Sequence, residues 1–136
     1  MLFRSQIEEQ LDPKEFLDVL VNSGLGERRP TNDFDRITKM AENANLIVTA
    51  REDGKLIGIA RSVSDFVYCT YLSDLAVDVG YQHRGIGKEL IRRTKLVTPE
   101  ATLILLSAPA AKDYYPKIGM DKHNACFILK ESDKLK

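Results

Sequence analysis

The spacing of apolar and polar positions changes period several times along the chain, and each change marks an element. Residues 2–7 alternate weakly and predict a first strand. Asp12-Pro13-Lys14-Glu15 has the form of a helix start, with Asp12 as N-cap, Pro13 at the first helical position and Glu15 placed to close a capping box. Phe16, Leu17 and Leu20 follow on one face, and Gly24 supplies the stop. Residues 24–30 read as a loop whose paired Arg28 and Arg29 are solvated surface or, alternatively, flank an acceptor site. A second helix opens at Thr31 or Asn32, with Phe34, Ile37, Met40, Ala41 and Ala44 as its apolar stripe.

The period then shortens to that of strands. Residues 46–50 and 56–60 flank Asp53-Gly54, a hairpin turn, and Gly58 marks a bulge or a close approach. Residues 68–77 form the next strand. Ile86, Leu90, Thr94 and Val97 return to helical spacing, with Arg92, Arg93 and Lys95 on the other side and an end near Thr98-Pro99. The continuous apolar run 102–107 suits a central strand covered on both faces, parallel to the strand before the helix. Pro109 opens a last helix that Gly119 ends, and residues 125–129 close the sheet. The class is mixed α/β: a mostly antiparallel sheet, about four helices, and one parallel strand pair.

The stretch between strand 68–77 and the following helix carries the chemistry. Tyr81-Gln82-His83-Arg84-Gly85-Ile86-Gly87-Lys88 is a glycine turn that opens a helix. The first N–H groups of a helix have no partner inside it, and the macrodipole places partial positive charge there. Gly85 and Gly87 keep side chains out of a ligand's way, and Arg84 and Lys88 add full charges. Such a turn suits a phosphate or pyrophosphate. It lacks the third glycine of a dinucleotide fingerprint, and it has neither the spacing nor the Lys-Ser/Thr pair of a Walker loop.

What matches is Gln/Arg-x-x-Gly-x-Gly/Ala, here Gln82-His83-Arg84-Gly85-Ile86-Gly87, directly after an apolar strand. In this the chain resembles the GNAT superfamily of acetyl-CoA-dependent N-acetyltransferases, and the order of elements agrees along essentially its whole length. The resemblance implies one domain over residues 1–136, with the GNAT fold and a splayed parallel strand pair that admits the pantetheine arm. Backbone groups of Leu75, Ala76 and Val77 would pair with that arm, and Gln82, His83, Arg84, Gly85, Ile86, Gly87 and Lys88 would hold the pyrophosphate. A second segment, Ala111-Lys112-Asp113-Tyr114-Tyr115-Pro116-Lys117-Ile118-Gly119-Met120, is similar to the family's A-x-x-F-Y-x-x-x-G-F. Tyr114 stands for its Phe. Tyr115 matches the tyrosine that commonly protonates the departing thiolate, a sensible acid because a phenol is protonated at neutral pH. Ser107 stands where the family often carries an Asn that hydrogen-bonds the cofactor.

The implied activity is transfer of an acetyl group from acetyl-CoA to a primary amine, small or peptidic, by direct attack in a ternary complex. The alternative is a domain that binds acyl-CoA and senses without catalysing. A nucleotide-binding regulator using the same turn is a weaker rival, since no acidic residue stands at a Mg²⁺-holding spacing. No strong base is evident. Strict alternation puts Tyr71 and Ser73 on the face of Leu75 and Asp74 on the opposite one, where Asp74 reads as structural. His83 fills the turn, and Asp65 and Tyr68 flank the acceptor entrance.

Composition narrows the partners. The 136 residues are 43% hydrophobic and 29% charged, with no net charge, which argues against a broad nucleic-acid surface. No run reaches membrane-span length, and there is no signal-peptide core, so a cytoplasmic protein is expected. Cys69 and Cys126 fit neither a disulfide framework nor a zinc cluster and read as buried thiols; no metal is expected. Relatives of this type often pair, and a homodimer is the expected assembly.

Overall fold

The computed structural model describes residues 3–136. The chain divides into two compact units, Met1–Leu106 and Ser107–Lys136. In the first, β1 (Arg4–Ile7), α1 (Pro13–Ser23), α2 (Phe34–Asn43), β2 (Leu46–Glu52), β3 (Lys55–Ser64), β4 (Cys69–Val77), α3 (Ile86–Val97) and β5 (Thr102–Ile104) follow one another. The second contains α4 (Tyr114–Lys117). Among the described residues the strands make a five-stranded sheet of order β1-β2-β3-β4-β5, antiparallel except for the parallel pair β4–β5. Leu2, part of the expected first strand, lies outside the described residues.

Helix α1 begins as its residues dictate. The Asp12 carboxylate accepts from the Glu15 N–H at 3.4 Å and the Asp12 carbonyl from the Phe16 N–H at 3.0 Å. Gly24 ends it at φ 86°, a value open to glycine, with its N–H on the Val21 carbonyl. The Glu15 side chain does not close the capping box. Arg51 takes it instead, through Nη1 at 2.8 Å and Nη2 at 3.0 Å, because two charge-assisted bonds outweigh one to a neutral N–H. The second helix starts later than expected, on Asp33, whose carboxylate accepts from the Arg36 N–H at 3.1 Å. Phe34 therefore falls outside the buried stripe and is exposed, while Ile37 and Ala41 are buried.

The sheet is covered on both faces. Phe16, Val19 and Leu20 of α1 and Ile37 and Ala41 of α2 pack on Ile47, Ile59 and Ala76. On the other face, Ile86 and Leu90 of α3 pack on Val48, Ile57, Ala60 and Leu72. Gly58 lets α3 come this close: a Cβ there would lie 3.1 Å from Ile86 Cγ2 and 3.3 Å from Leu90 Cδ1. The register also shifts at this point, Ala50 pairing with Gly58 and Arg51 with Leu56, so Gly58 marks both a bulge and a close approach.

Arg51 also binds Glu8, through Nε at 2.8 Å and Nη2 at 3.1 Å, which ties the end of β1 to β2 and α1. The Arg51 hydrogen bond is the largest cause of the fall in the Glu8 pKa from its ordinary 4.5 to about 2. A depressed carboxylate contributes stability above its unfolded pKa and loses it as pH falls toward the folded one. The shift corresponds to at most about 3 kcal/mol. We expect Glu8→Gln to lower the urea midpoint at pH 7 and to match wild type near pH 2. A gap independent of pH would contradict the assignment.

Four further expectations change. Strand β5 is a three-residue edge strand with Thr102 and Ile104 exposed, not a central strand covered on both faces. An apolar run records capacity for burial, not which neighbours supply it. Residues 125–129 form no strand, and Phe127, Ile128 and Leu129 are exposed. Cys69 and Cys126 are likewise exposed thiols rather than buried ones. The single helix expected from Pro109 is a 3-10 turn, Pro109–Ala111, followed by the four-residue α4. Pro116 explains the break: proline fits only the first turn of a helix, so the helix restarts at Tyr114. Gly119 follows it at φ 101°.

Candidate active site

The site begins where β4 outruns its parallel neighbour. Pairing between them stops at Tyr71↔Ile104, while β4 continues to Val77. On the other side, the Asp78 N–H donates to the Ile57 carbonyl at 2.8 Å, and Ile59 stands opposite Ala76. Backbone groups alternate sides along an antiparallel pair, so the Ala76 N–H and C=O face β3. Those of Leu75 and Val77 face the side that β5 leaves open. The Val77 carbonyl accepts from Gln82 Nε2 at 3.0 Å, drawing the following turn back onto this edge.

Upstream of the open segment β4 is bulged. Arg61 pairs with Asp74 and Ser62 with Leu72, so Ser73 is an extra residue in the strand. Alternation fails there. The side chains of Ser73 and Asp74 both reach Arg61, and Leu72 and Leu75, three apart, both pack on the α3 face. The expectation that Tyr71 and Ser73 share the face of Leu75 is therefore corrected, and the bulge is the reason.

Asp74 is fully buried. One carboxylate oxygen accepts from Arg29 Nε and the other from Arg61 Nε. Arg61 also donates to the Met40 carbonyl and Ser73 Oγ, both at 3.1 Å. Arg29 donates through Nη1 to the Arg28 carbonyl and through Nη2 to the Ser73 carbonyl, both at 2.8 Å. The expected loop contains a 3-10 turn over Leu25–Arg28; Arg28 is exposed as expected, but Arg29 is not solvated surface. A carboxylate on a buried strand needs a cation, and that need was the one signal in the sequence for this contact. Both oxygens of Asp74 are thus engaged by guanidinium groups.

The turn after β4 is stiffened from within. Asp78 Oδ1 accepts from the Gly80 N–H at 2.9 Å, closing a 3-10 turn over Val79–Tyr81. Lys55 and Arg84 lie over the Tyr81 ring at 5.5 and 5.1 Å. His83 at φ 65° and Gly85 at φ 79° then swing the chain into α3. A Cβ at Gly85 would meet nothing within 4 Å, so the dihedral, not crowding, calls for glycine. Gly85 leaves the helix start without a side-chain cap, and the first helical bond is from the Glu89 N–H to the Gly85 carbonyl. The N–H groups of Ile86, Gly87 and Lys88 thus precede the helical ladder. Glu89, in the first turn of α3, is held by Arg92 at 2.6 and 2.8 Å, and that bond is the main cause of its lowered pKa. A groove of about 350 Å³ is lined by Ser5 of β1, by Gly85 and by Lys88, Glu89, Arg92 and Arg93 of α3.

The remaining candidates belong to other segments of the chain. In the C-terminal unit, Ser107 Oγ donates to the Ala108 carbonyl at 2.7 Å. Tyr115 sits half-buried in the first turn of α4, with the Tyr114 ring edge-on at 5.3 Å. Burial first, and the neighbouring Tyr114 second, raise the Tyr115 phenol above its usual pKa. In the β3–β4 loop, Asp65 Oδ1 accepts from the N–H groups of Tyr68 at 2.8 Å and of Val67 and Cys69 at 3.0 Å. These bonds, that of Tyr68 foremost, hold its pKa at about 2. Asp65 thus shapes the loop, and Tyr68 projects from it, exposed. Among the described residues no three His, Cys, Asp or Glu side chains are grouped to hold a metal ion. No described helix is long and apolar enough to cross a membrane.

Comparison with known proteins bears on the family and the fold. Residues 10–120 match the model of the Acetyltransferase (GNAT) family. A histone acetyltransferase of Glycine max, TAP1, is 34% identical over 73 residues, which are 52% of this chain and 32% of that protein. The chain thus spans about a third of the length of the curated relatives it matches. A GNAT family acetyltransferase from Streptococcus pneumoniae superposes with a TM-score of 0.74 at 19% identity, over 95% of this chain and 99% of that one. An aminoglycoside N-acetyltransferase in complex with CoA does so with a TM-score of 0.71 at 12% identity, over 96% and 95%. At such identities the two structures establish the fold.

Proposed function

Because the chain belongs to the GNAT acetyltransferase family, we propose that it transfers an acetyl group from acetyl-CoA to a primary amine by direct attack. The observation that carries this is the continuity of two features: an open β4 edge at Leu75 and Val77 that runs into an uncapped, cationic helix start. An extended amide-bearing arm fits the edge as an added strand, and a pyrophosphate fits the turn. Gly85, whose Cβ direction is empty, leaves room for that approach.

When bound, acetyl-CoA supplies an acetyl group activated as a thioester. The N–H groups of Leu75 and Val77 are the donors available to orient and polarise its carbonyl. Ile86, Gly87 and Lys88 offer backbone N–H groups to the phosphates, and Arg84 and Lys88 add charge. Tyr115 holds a proton on Oη for the departing thiolate, and its raised pKa keeps that proton in place at neutral pH. Asp74, engaged by two arginines, takes no part in deprotonating the amine, which loses its proton to water. The engagement of this nearest carboxylate also favours a second reading, a domain that binds acyl-CoA without turning it over.

A panel of small amines, polyamines and peptides, scored by release of free thiol from acetyl-CoA, decides between them. The first reading predicts thiol release that depends on the amine and saturates with it. Cofactor binding with no thiol release from any member would establish the second.

A further inference from the structure

The connection between α1 and α2 brings a guanidinium to the open edge of β4, and its charge is not balanced. Arg29 and Arg61 share the single carboxylate of Asp74, so the cluster carries one net positive charge. Its side chains are 20%, 9% and 0% exposed, which makes an unmatched charge costly. Arg61, the deeper of the two, spends its remaining bonds on Met40 and Ser73. Arg29 is the one that solvent reaches. A guanidinium carries five N–H groups, and Arg29 uses one on each nitrogen, which leaves a second N–H on Nη1 and on Nη2. Guanidinium N–H groups are suited to the oxygens of a carboxylate.

The location gives this pair a role. Arg29 Nη2 is bonded to the carbonyl of Ser73, the bulge residue, and Leu75 lies two residues further along the strand, about 7 Å away. Under the acetyltransferase reading, on which this inference rests, the acetyl carbonyl lies along that edge. An anion held by Arg29 would therefore lie at the same stretch of β4. We propose that the acceptor carries a carboxylate beside its amine, an amino acid or short ω-amino acid, and that Arg29 binds the carboxylate and sets the specificity. The same net charge disfavours polycationic acceptors such as polyamines.

The test uses matched pairs: glycine, β-alanine and γ-aminobutyrate against glycinamide, β-alaninamide and γ-aminobutyramide, with spermidine as the polycation. Thiol release is followed at saturating acetyl-CoA. The prediction is that kcat/KM favours a carboxylate over its amide by about tenfold or more, mostly through KM. Its α-amide counterpart carries the less basic amine, so intrinsic availability of the free amine runs the other way. Arg29→Gln should erase the preference without changing the affinity for acetyl-CoA, and Arg29→Lys should restore part of it. The wild-type comparison stands even if a variant fails to fold. Equal rates for acid and amide, or spermidine as the preferred member, would overturn the inference while leaving acetyl transfer intact. Binding of acetyl-CoA without thiol release from any member overturns both.

Discussion

Asp74→Ala is expected to destabilise the protein by about 3–5 kcal/mol, because it removes the buried anion shared by the buried Arg61 and the partly buried Arg29. The loss would appear as a lower denaturant midpoint with little change in slope. Three elements are affected together. Arg29 ties the α1–α2 connection to β4, Arg61 ties β3 to β4, and Arg61 Nη1 reaches the Met40 carbonyl in α2. Asp74→Asn keeps the shape and loses the charge, so it too should unfold early. Under conditions where Asp74→Asn stays folded, the pH dependence of kcat should keep the wild-type form. A variant that folds normally and loses only its acidic limb would instead make Asp74 the base.

Tyr115→Phe is expected to lower kcat by about 10²-fold or more while leaving the KM for acetyl-CoA near its wild-type value. The substitution removes a proton donor and keeps the ring. Direction matters for the pH profile. A raised phenol pKa means that the protonated form persists through the neutral range, so the wild-type rate should hold until pH climbs past the ordinary tyrosine value of about 10. The variant should lose that alkaline limb. An unchanged kcat across pH would reduce Tyr115 to packing against Tyr114.

What the sequence revealed and what it hid divide along a physical line. Features built from neighbours in the chain were legible. Asp12 caps α1, Gly24 stops it, Asp53 and Gly54 turn the hairpin at φ 51° and 82°, and Gly85 opens α3, each through groups a few residues apart. Features that depend on a distant partner were not. The bulge at Ser73 exists only in relation to Arg61 on the next strand, and it broke the parity argument for Tyr71 and Ser73. Arg29 and Asp74 stand 45 residues apart, so the loop arginine looked like surface. The run 125–129 has the composition of a strand, but composition does not create a partner, and there Phe127 and Cys126 are exposed. The short edge strand β5 misleads in the same way, and its early end is what leaves Leu75 and Val77 open.

The most direct test of the account is calorimetric titration of acetyl-CoA into the wild-type protein and into a Gly85→Glu, Gly87→Glu double variant. The substitutions force a side chain at φ 79° and bring two carboxylates to the helix start. The account predicts saturable binding of one acetyl-CoA per chain in the micromolar range (about −8 kcal/mol) that the variant loses while still unfolding cooperatively. Absence of binding by the wild-type protein, or equal binding by both, would contradict the assignment of the cofactor to this turn.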